Sequence, residues 1–240
     1  MNVQDGIILG FDKPYRWTSF DVVGKVRWML CRHIGVKKLK VGHAGTLDPL
    51  ATGVLIVCTG RATKQIEELQ AGTKEYIAEI RLGATTPSFD LEKPIDATYP
   101  TEHITREMVE QVLEQFKGTI EQVPPTFSAC KVDGKRAYEM ARKGHDVELK
   151  PKTLVIDEIE LTACNLPDIT VRVVCSKGTY IRALARDIGL ALNSGAHLTG
   201  LRRTRVGNIK VEDCLNPEKF MEWLQTADIE IPEIENENKN

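Results

Sequence analysis

Residues 42–53 read GHAGTLDPLATG, and this stretch decides how the rest of the chain is understood. Its glycines, at 42, 45 and 53, permit backbone angles and close approaches that larger residues cannot adopt. Pro49 biases Asp48 toward an extended conformation, so the backbone aims that carboxylate. Thr46 and Thr52 can satisfy local backbone groups, while Leu47, Leu50 and Val54 can root the loop in a core on both sides of the acid. A plainer reading stands beside this one: Asp48 and Thr46 cap turns, and His43 packs at the core edge. The stretch is not a phosphate cradle, having neither the GxxxxGK[ST] pattern nor the Rossmann glycine spacing.

Working outward, residues 7–11 (IILGF) predict a strand, followed by a turn at Asp12-Lys13-Pro14. A helix then starts after Ser19, whose hydroxyl suits a cap, with Val22, Val23, Val26, Met29 and Leu30 as its stripe and Gly35 as its end. Residues 36–53 form a punctuated loop before a strand at 54–58. Alternation over 74–82 predicts a strand with Tyr76, Ala78, Ile80 and Leu82 on one face. Thr105 and Gly118 bracket a helix at 106–117. Two more strands follow at 153–162 and 169–175. A helix over about 180–192 is expected with Thr179 as cap, and a last helix with Asn216 as cap, Pro217 in the first turn and Leu215 stapled to Phe220.

Residues 124–152 hold Pro124-Pro125 and many charges, and read as an excursion from the sheet. Helices and strands intermix with no repeat or linker. The expectation is an α+β fold with a central mixed, largely antiparallel sheet flanked by helices, occupying residues 1–228, with an acidic tail at 229–240.

Composition sets the class. At 42% hydrophobic and 28% charged residues, 240 residues build an ordinary core, and no apolar run is long enough to cross a bilayer. Asp5 and Asp12 stand where a signal peptide would carry basic residues, which points to the cytoplasm. The six cysteines form no CxxC pair and read as buried thiols, and neither they nor the five histidines show zinc-ligand spacing. No metal is expected. The formal charge of −2 hides a split. Residues 226–240 carry five acidic side chains against Lys239, leaving 31 basic and 29 acidic residues elsewhere. Residues 12–43 hold eight Lys/Arg against two Asp, and residues 172–210 hold eight against Asp187. Such segments suit a polyanion, or are two solvated faces.

GHAGTLDPLATG resembles the catalytic motif of the bacterial tRNA pseudouridine synthase B (TruB) family. Five further segments agree in order: KPYRWTS at 13–19, GTKEYIAEIRLG at 72–83, QVPPTFSACKVDGKRAYEMARKG at 122–144, CSKGTYIRALARDIG at 175–189 and HLTGLRRTRVG at 197–207. The similarity spans roughly residues 6–225. It implies the pseudouridine synthase fold with an RNA-contacting insertion. The implied activity is cofactor-free isomerisation of uridine 55 in the TΨC loop of transfer RNA. Carried over by position, Asp48 matches the catalytic aspartate and Arg182 the arginine paired with it. Tyr76 matches the aromatic residue against the flipped uracil, His43 the histidine that holds or displaces the target nucleotide, and Leu201 an apolar pocket position. Many members of the family continue into a small RNA-binding PUA domain; this sequence has an acidic stretch there instead, and the resemblance leads to the expectation of a compact member without that domain.

The chemistry suits these residues. Pseudouridine formation breaks the N1–C1′ bond and rejoins the same uracil through C5, so nothing is imported and no cofactor is required. Attack at C1′, attack at C6 and a glycal route with Asp48 removing the C2′ proton all remain open, the last being favoured. Arg182 lies in a first helical turn, where the helix field disfavours a cation and a carboxylate partner would offset this. A solvated surface arginine is the alternative. Lys13, Arg16, Arg202 and Arg203, with Lys131 from the excursion, are expected to meet RNA phosphates. The partner is transfer RNA, above all its T stem-loop, with no membrane and no obligate protein partner, and the protein is expected to be a monomer. Two other classes compete: an RNA-binding or folding factor with a structural Asp48, and a nucleoside glycosidase, which would need a second carboxylate.

Overall fold

In the computed structural model, which describes residues 1–126, 131–132, 135–136 and 149–230, the chain runs as follows. Strand β1 (Ile8–Lys13) leads to helix α1 (Ser19–Ile34), strands β2 (Val41–Ala44) and β3 (Ala51–Thr59), a 3-10 turn (Gly60–Gln65) and helix α2 (Ile66–Ala71). Then come β4 (Lys74–Leu82), the short pair β5 (Ala84–Thr85) and β6 (Ala97–Thr98), helix α3 (Arg106–Gln115) and β7 (Gly118–Gln122). The short strands β8 (Lys131–Val132) and β9 (Lys135–Arg136) pair with each other. The long hairpin β10 (Lys152–Asn165) and β11 (Asp168–Cys175), helix α4 (Ile181–Ala191), strands β12 (Ala196–Val206) and β13 (Ile209–Lys210), and helix α5 (Phe220–Thr226) complete the order. Two units emerge: Met1–Gly72 with the chain from Arg205 onward, and Thr73–Thr204.

In the first unit β3 is flanked along its length by β1, antiparallel from Ile8 opposite Cys58 to Lys13 opposite Gly53, and it also pairs with β2. Helix α1 buries Val22, Val23, Val26, Met29, Leu30 and Ile34 against Phe11, Leu55 and Val57. Phe220 and Leu224 of α5 close the same core, with the Phe11 and Phe220 rings edge-to-face at 5.1 Å. Truncating Phe220 to Ala would cost about 3–5 kcal/mol, because a cavity adds to the lost burial. The first and last described residues also meet: the Met1 ammonium donates to the Asp228 carbonyl, and Glu230 N–H donates to Met1 O at 3.0 Å.

The second unit is a five-stranded arrangement in the order β12-β4-β11-β10-β7, with the β4–β11, β11–β10 and β10–β7 pairs all antiparallel. Alternation along β4 puts Tyr76, Ala78, Ile80 and Leu82 inward. Helix α3 lies against β10, and α4 lies against α3 and β4. The other face of β4 and β11 is ionic. Arg172 bridges Glu75 at 2.8 Å and Glu158 at 2.6 Å, and Arg81 forks onto Asp168 at 2.7 and 2.8 Å.

Several local expectations change. Thr18, not Ser19, caps α1: its hydroxyl accepts from Asp21 N–H while Asp21 accepts from Thr18 N–H, a reciprocal box. The Asp21 carboxyl is held below its usual range first by the Thr18 hydroxyl, which donates to it at 2.7 Å, and then by that N–H. Residues 36–53 contain strand β2, and β3 begins at Ala51 rather than at 54. Thr179 donates to Ser176 O instead of capping α4. Asn216 caps a turn, accepting from Glu218 N–H at 2.8 Å, and α5 starts only at Phe220. Of the expected buried thiols, Cys58 and Cys175 are buried, while Cys31, Cys164 and Cys214 are half-exposed. Most of the 124–152 excursion, Cys130 with it, and residues 231–240 of the tail lie outside the described residues. Among the described residues no helix is long and apolar enough to cross a membrane.

Candidate active site

The 42–53 stretch folds as β2, a connection over 45–50, and the start of β3. Gly45, before Asp48, and Gly53, inside β3 after it, take φ of 94° and 105°, a region that favours glycine, so the backbone path on each side of Asp48 depends on them. Leu47 is buried, and its amide and carbonyl are both engaged by one hydroxyl: Ser19 Oγ accepts from Leu47 N–H at 3.0 Å and donates to Leu47 O at 3.2 Å. Pro49 O accepts from Arg16 N–H at 2.8 Å and from Lys13 Nζ at 3.3 Å. Ala51 N–H closes a turn onto Asp48 O at 3.0 Å. The residues before and after Asp48 are thus clamped through their backbone, while Asp48 itself is half-exposed. Leu47 and Val54 anchor the loop in the core as expected; Leu50 is only half-buried.

Lys13 departs from its expected place on an RNA surface. It is fully buried, and its ammonium donates to Pro14 O at 3.0 Å, Trp17 O at 2.5 Å and Pro49 O at 3.3 Å. A buried ammonium is tolerable when each of its three protons meets an acceptor, and here three carbonyls serve. Its part is to hold the 14–17 turn to the Asp48 loop. Arg16 is exposed and keeps φ at 68°, an uncommon conformation for a residue with a side chain, while delivering its amide to Pro49. His43 lies on β2 opposite Val57, half-buried, with its ring edge-to-face with Phe20 at 5.6 Å. Sequence reasoning passed over Phe20, an exposed aromatic one residue inside a helix, for which local pattern carries no signal.

In the second unit Tyr76 is buried on β4 opposite Val173. Arg182, in the first turn of α4, is buried, which rejects the solvated-arginine alternative. Its Nη1 donates to Ser88 O at 3.1 Å and its Nε stands 3.9 Å from the buried carboxylate of Asp90. Asp90 was not singled out from sequence, because Thr-Thr-Pro-Ser-Phe-Asp reads as an ordinary turn until the buried arginine is seen. Helix α4 has no side-chain cap of its own. Gln122, buried at the end of β7, accepts from Tyr180 N–H at 2.9 Å and donates to Tyr180 O at 3.2 Å. Arg186 adds a bond to Val123 O at 3.0 Å.

The second basic segment is less available than its sequence suggests. Arg203, expected at phosphates, is 2% exposed; Arg182 is buried, and Arg172 and Arg186 are tied into ion pairs. Arg202 and Leu201 are half-exposed on β12. Lys74 is buried, and burial followed by the charge of Arg203 lowers its ammonium to about 8. Burial likewise pushes the Cys58 and Cys175 thiols up to about 11, so both stay protonated and inert. Lys131 lies in β8 opposite Arg136. The first basic segment faces outward, with Arg16, Arg27, Arg32, Lys37, Lys38 and Lys40 exposed. Among the described residues no three His, Cys, Asp or Glu side chains gather to hold a metal ion.

A model of the TruB family pseudouridylate synthase N-terminal domain matches residues 32–181, and one of the tRNA pseudouridylate synthase B C-terminal domain matches residues 182–233. The chain belongs to the TruB family. It is 74% identical over 230 residues to the tRNA pseudouridine synthase B of Phocaeicola vulgatus, covering 96% of this chain and 98% of that one. With the tRNA pseudouridine synthase B of Bacteroides fragilis it shares 71% identity over 231 residues, 96% of this chain and 99% of the relative. Among solved structures, a chain in the crystal structure of a Cbf5-Nop10-Gar1 complex is 31% identical with a TM-score of 0.69, covering 92% of this chain but only 55% of that one. The α+β architecture is thus the pseudouridine synthase fold, and the TruB motif at 42–53 is the backbone-clamped loop that carries Asp48.

Proposed function

We propose that this protein isomerises uridine 55 in the TΨC loop of transfer RNAs to pseudouridine, with Asp48 as the essential carboxylate. The observation that carries the reading is the loop itself: in a TruB-family chain, backbone bonds at Leu47 and Pro49 fix the path on either side of a half-exposed aspartate. Such fixing supplies orientation, a large part of what a positioned catalytic group contributes. The target uridine must leave its stack to be reached. Tyr76 is assigned the aromatic role against the uracil, Leu201 an apolar one beside it, and His43 the task of holding the displaced nucleotide. Arg182 is assigned the role of keeping the carboxylate ionised and oriented.

The favoured route begins with rupture of the N1–C1′ bond. Asp48 takes the C2′ proton to give a glycal, the freed uracil turns, C5 bonds to C1′, and the proton returns to C2′. The C5 proton is lost as N1 gains one, so atoms balance without an oxidant or a cofactor. Arg16, Arg202 and the Lys131 segment are assigned phosphate contacts on the T stem-loop. The protein acts as a monomer in the cytoplasm, where its transfer-RNA substrate is found.

The test is incubation of purified protein with an unmodified transfer-RNA transcript, followed by nucleoside analysis. Pseudouridine is expected at one T-loop uridine without added cofactor. Asp48→Asn should bind RNA yet show no turnover, and equal turnover by that variant rejects Asp48 as catalytic. Arg182→Ala should lower turnover more than RNA affinity; the opposite pattern moves Arg182 out of the site.

A further inference from the structure

We propose that the outward face of helix α1, from Phe20 across Gly24 to Trp28, is a docking surface for a transfer-RNA strand outside the reacting nucleotide. The inference rests on the reading of the protein as a transfer-RNA enzyme. Phe20 is 68% exposed and Trp28 56% exposed, although large rings on a helix normally turn inward. Eight residues apart, they stand about 12 Å from each other along the helix. Gly24 lies midway, one turn from each, so the three share one stripe.

Gly24 is the decisive residue. Glycine inside a helix is destabilising relative to alanine, so its presence needs a reason. Packing offers none: a Cβ placed on Gly24 meets nothing within 4 Å, and its backbone is not left-handed. Among the described residues, the bare backbone at Gly24 therefore leaves open space on the stripe between Phe20 and Trp28, as suits close approach by a ligand.

The surroundings select a polyanion with flat rings. Arg27 is exposed beside Gly24, Arg32 lies 5.4 Å from the Trp28 ring, and Lys25 lies 5.1 Å from the Trp17 ring. Asp21, the acid on this helix, is committed to the Thr18 cap. Bases stack on aromatic faces while cations meet the phosphates, the combination by which single strands are held without sequence preference. Continuity argues for RNA over an acidic protein. The stripe begins at Phe20, whose ring meets His43, and His43 stands on the strand that leads into the Asp48 loop.

The two substitutions most informative here move stability and affinity in opposite senses. Gly24→Ala should raise the thermal midpoint by about 2 °C through helix propensity, while weakening binding of an unmodified transfer-RNA transcript several-fold. Trp28→Ala should weaken the same binding about tenfold, by loss of a stacking ring. Fluorescence anisotropy with labelled transcript measures the affinity. Gly24→Ala that is stabilised but binds normally, together with Phe20→Ala and Trp28→Ala of unchanged affinity, overturns the proposal. So does Gly24→Ala that destabilises the fold, since the glycine would then serve packing. Turnover of the same transcript by the unaltered protein is read separately: if it is normal while all variants bind normally, the docking surface alone fails.

Discussion

Replacing Lys13 by Met would keep the aliphatic stem and remove the ammonium that joins the 14–17 turn to the Asp48 loop. The bonds to the Pro14, Trp17 and Pro49 carbonyls, at 3.0, 2.5 and 3.3 Å, are lost. Bonds from a charged donor are worth about 1.5–3 kcal/mol each. The sum is reduced because Pro49 O keeps the Arg16 amide, Pro14 O keeps the Trp17 amide at 3.4 Å, and the cost of burying a charge disappears. A net loss of about 2–4 kcal/mol remains, or about 5–15 °C in thermal midpoint for a chain of this size. Turnover should fall about a hundredfold if the carboxylate loop shifts by about 1 Å. Affinity for RNA should keep its salt dependence, since a buried ammonium touches no phosphate; loss of a phosphate contact would lower the log–log salt slope by about 1. Circular dichroism melting, single-turnover rates at saturating transcript, and affinity at several salt concentrations measure the three quantities. An unchanged midpoint with a reduced salt slope would refute the assignment and return Lys13 to the RNA surface.

Three other outcomes follow from particular contacts. Gln122→Leu removes both bonds to Tyr180, so stability should fall by about 1–3 kcal/mol and turnover should drop while RNA affinity holds. Gln122→Glu, which can still accept from the Tyr180 amide, should recover part of the rate; identical behaviour of the two variants would discount the clamp. Lys74 titrates near 8 in the folded protein against 10.5 in the unfolded chain, so over that interval the unfolded state holds more protons and stability rises with pH. Lys74→Met lacks this penalty, so its advantage in urea midpoint should shrink between about pH 7.5 and about pH 10, and a constant advantage would contradict the shift. Cys58 and Cys175, with thiols raised to about 11, should resist alkylation in the native protein near pH 8 and react on unfolding, as mass spectrometry of tryptic peptides would show.

Where side-chain period and local caps act alone, sequence and structure agree. Strand β4 matches because Tyr76, Ala78, Ile80 and Leu82 alternate with the less buried Ile77, Glu79 and Arg81, and α3 because Thr105 and Gly118 bracket a clear stripe. Adjacent hydroxyls at 18 and 19 made the start of α1 ambiguous, although Asp21 three residues after Thr18 signals the capping box. Strand β2 was hidden because four residues with glycine and histidine among them carry no periodicity. Long-range partners left no local trace: Gln122 reaches Tyr180 across 58 positions, and Ser19 reaches Leu47 across 28. Charge misled most. Lys13 and Arg203 read as surface cations by default, and only their burial shows otherwise.

The unit bearing Asp48 is sewn from two stretches far apart in sequence, Met1–Gly72 and the chain from Arg205 onward. Phe11 waits for Phe220, Gly10 O for the Leu215 amide at 2.8 Å, and Met1 for Asp228. A nascent chain that has grown past Gly72 therefore already contains the carboxylate but not the residues that seal its scaffold, whereas the unit from Thr73 to Thr204 is contiguous and free to mature first. A polypeptide stalled on the ribosome before Phe220 would therefore hold the Asp48 loop in an unfinished housing.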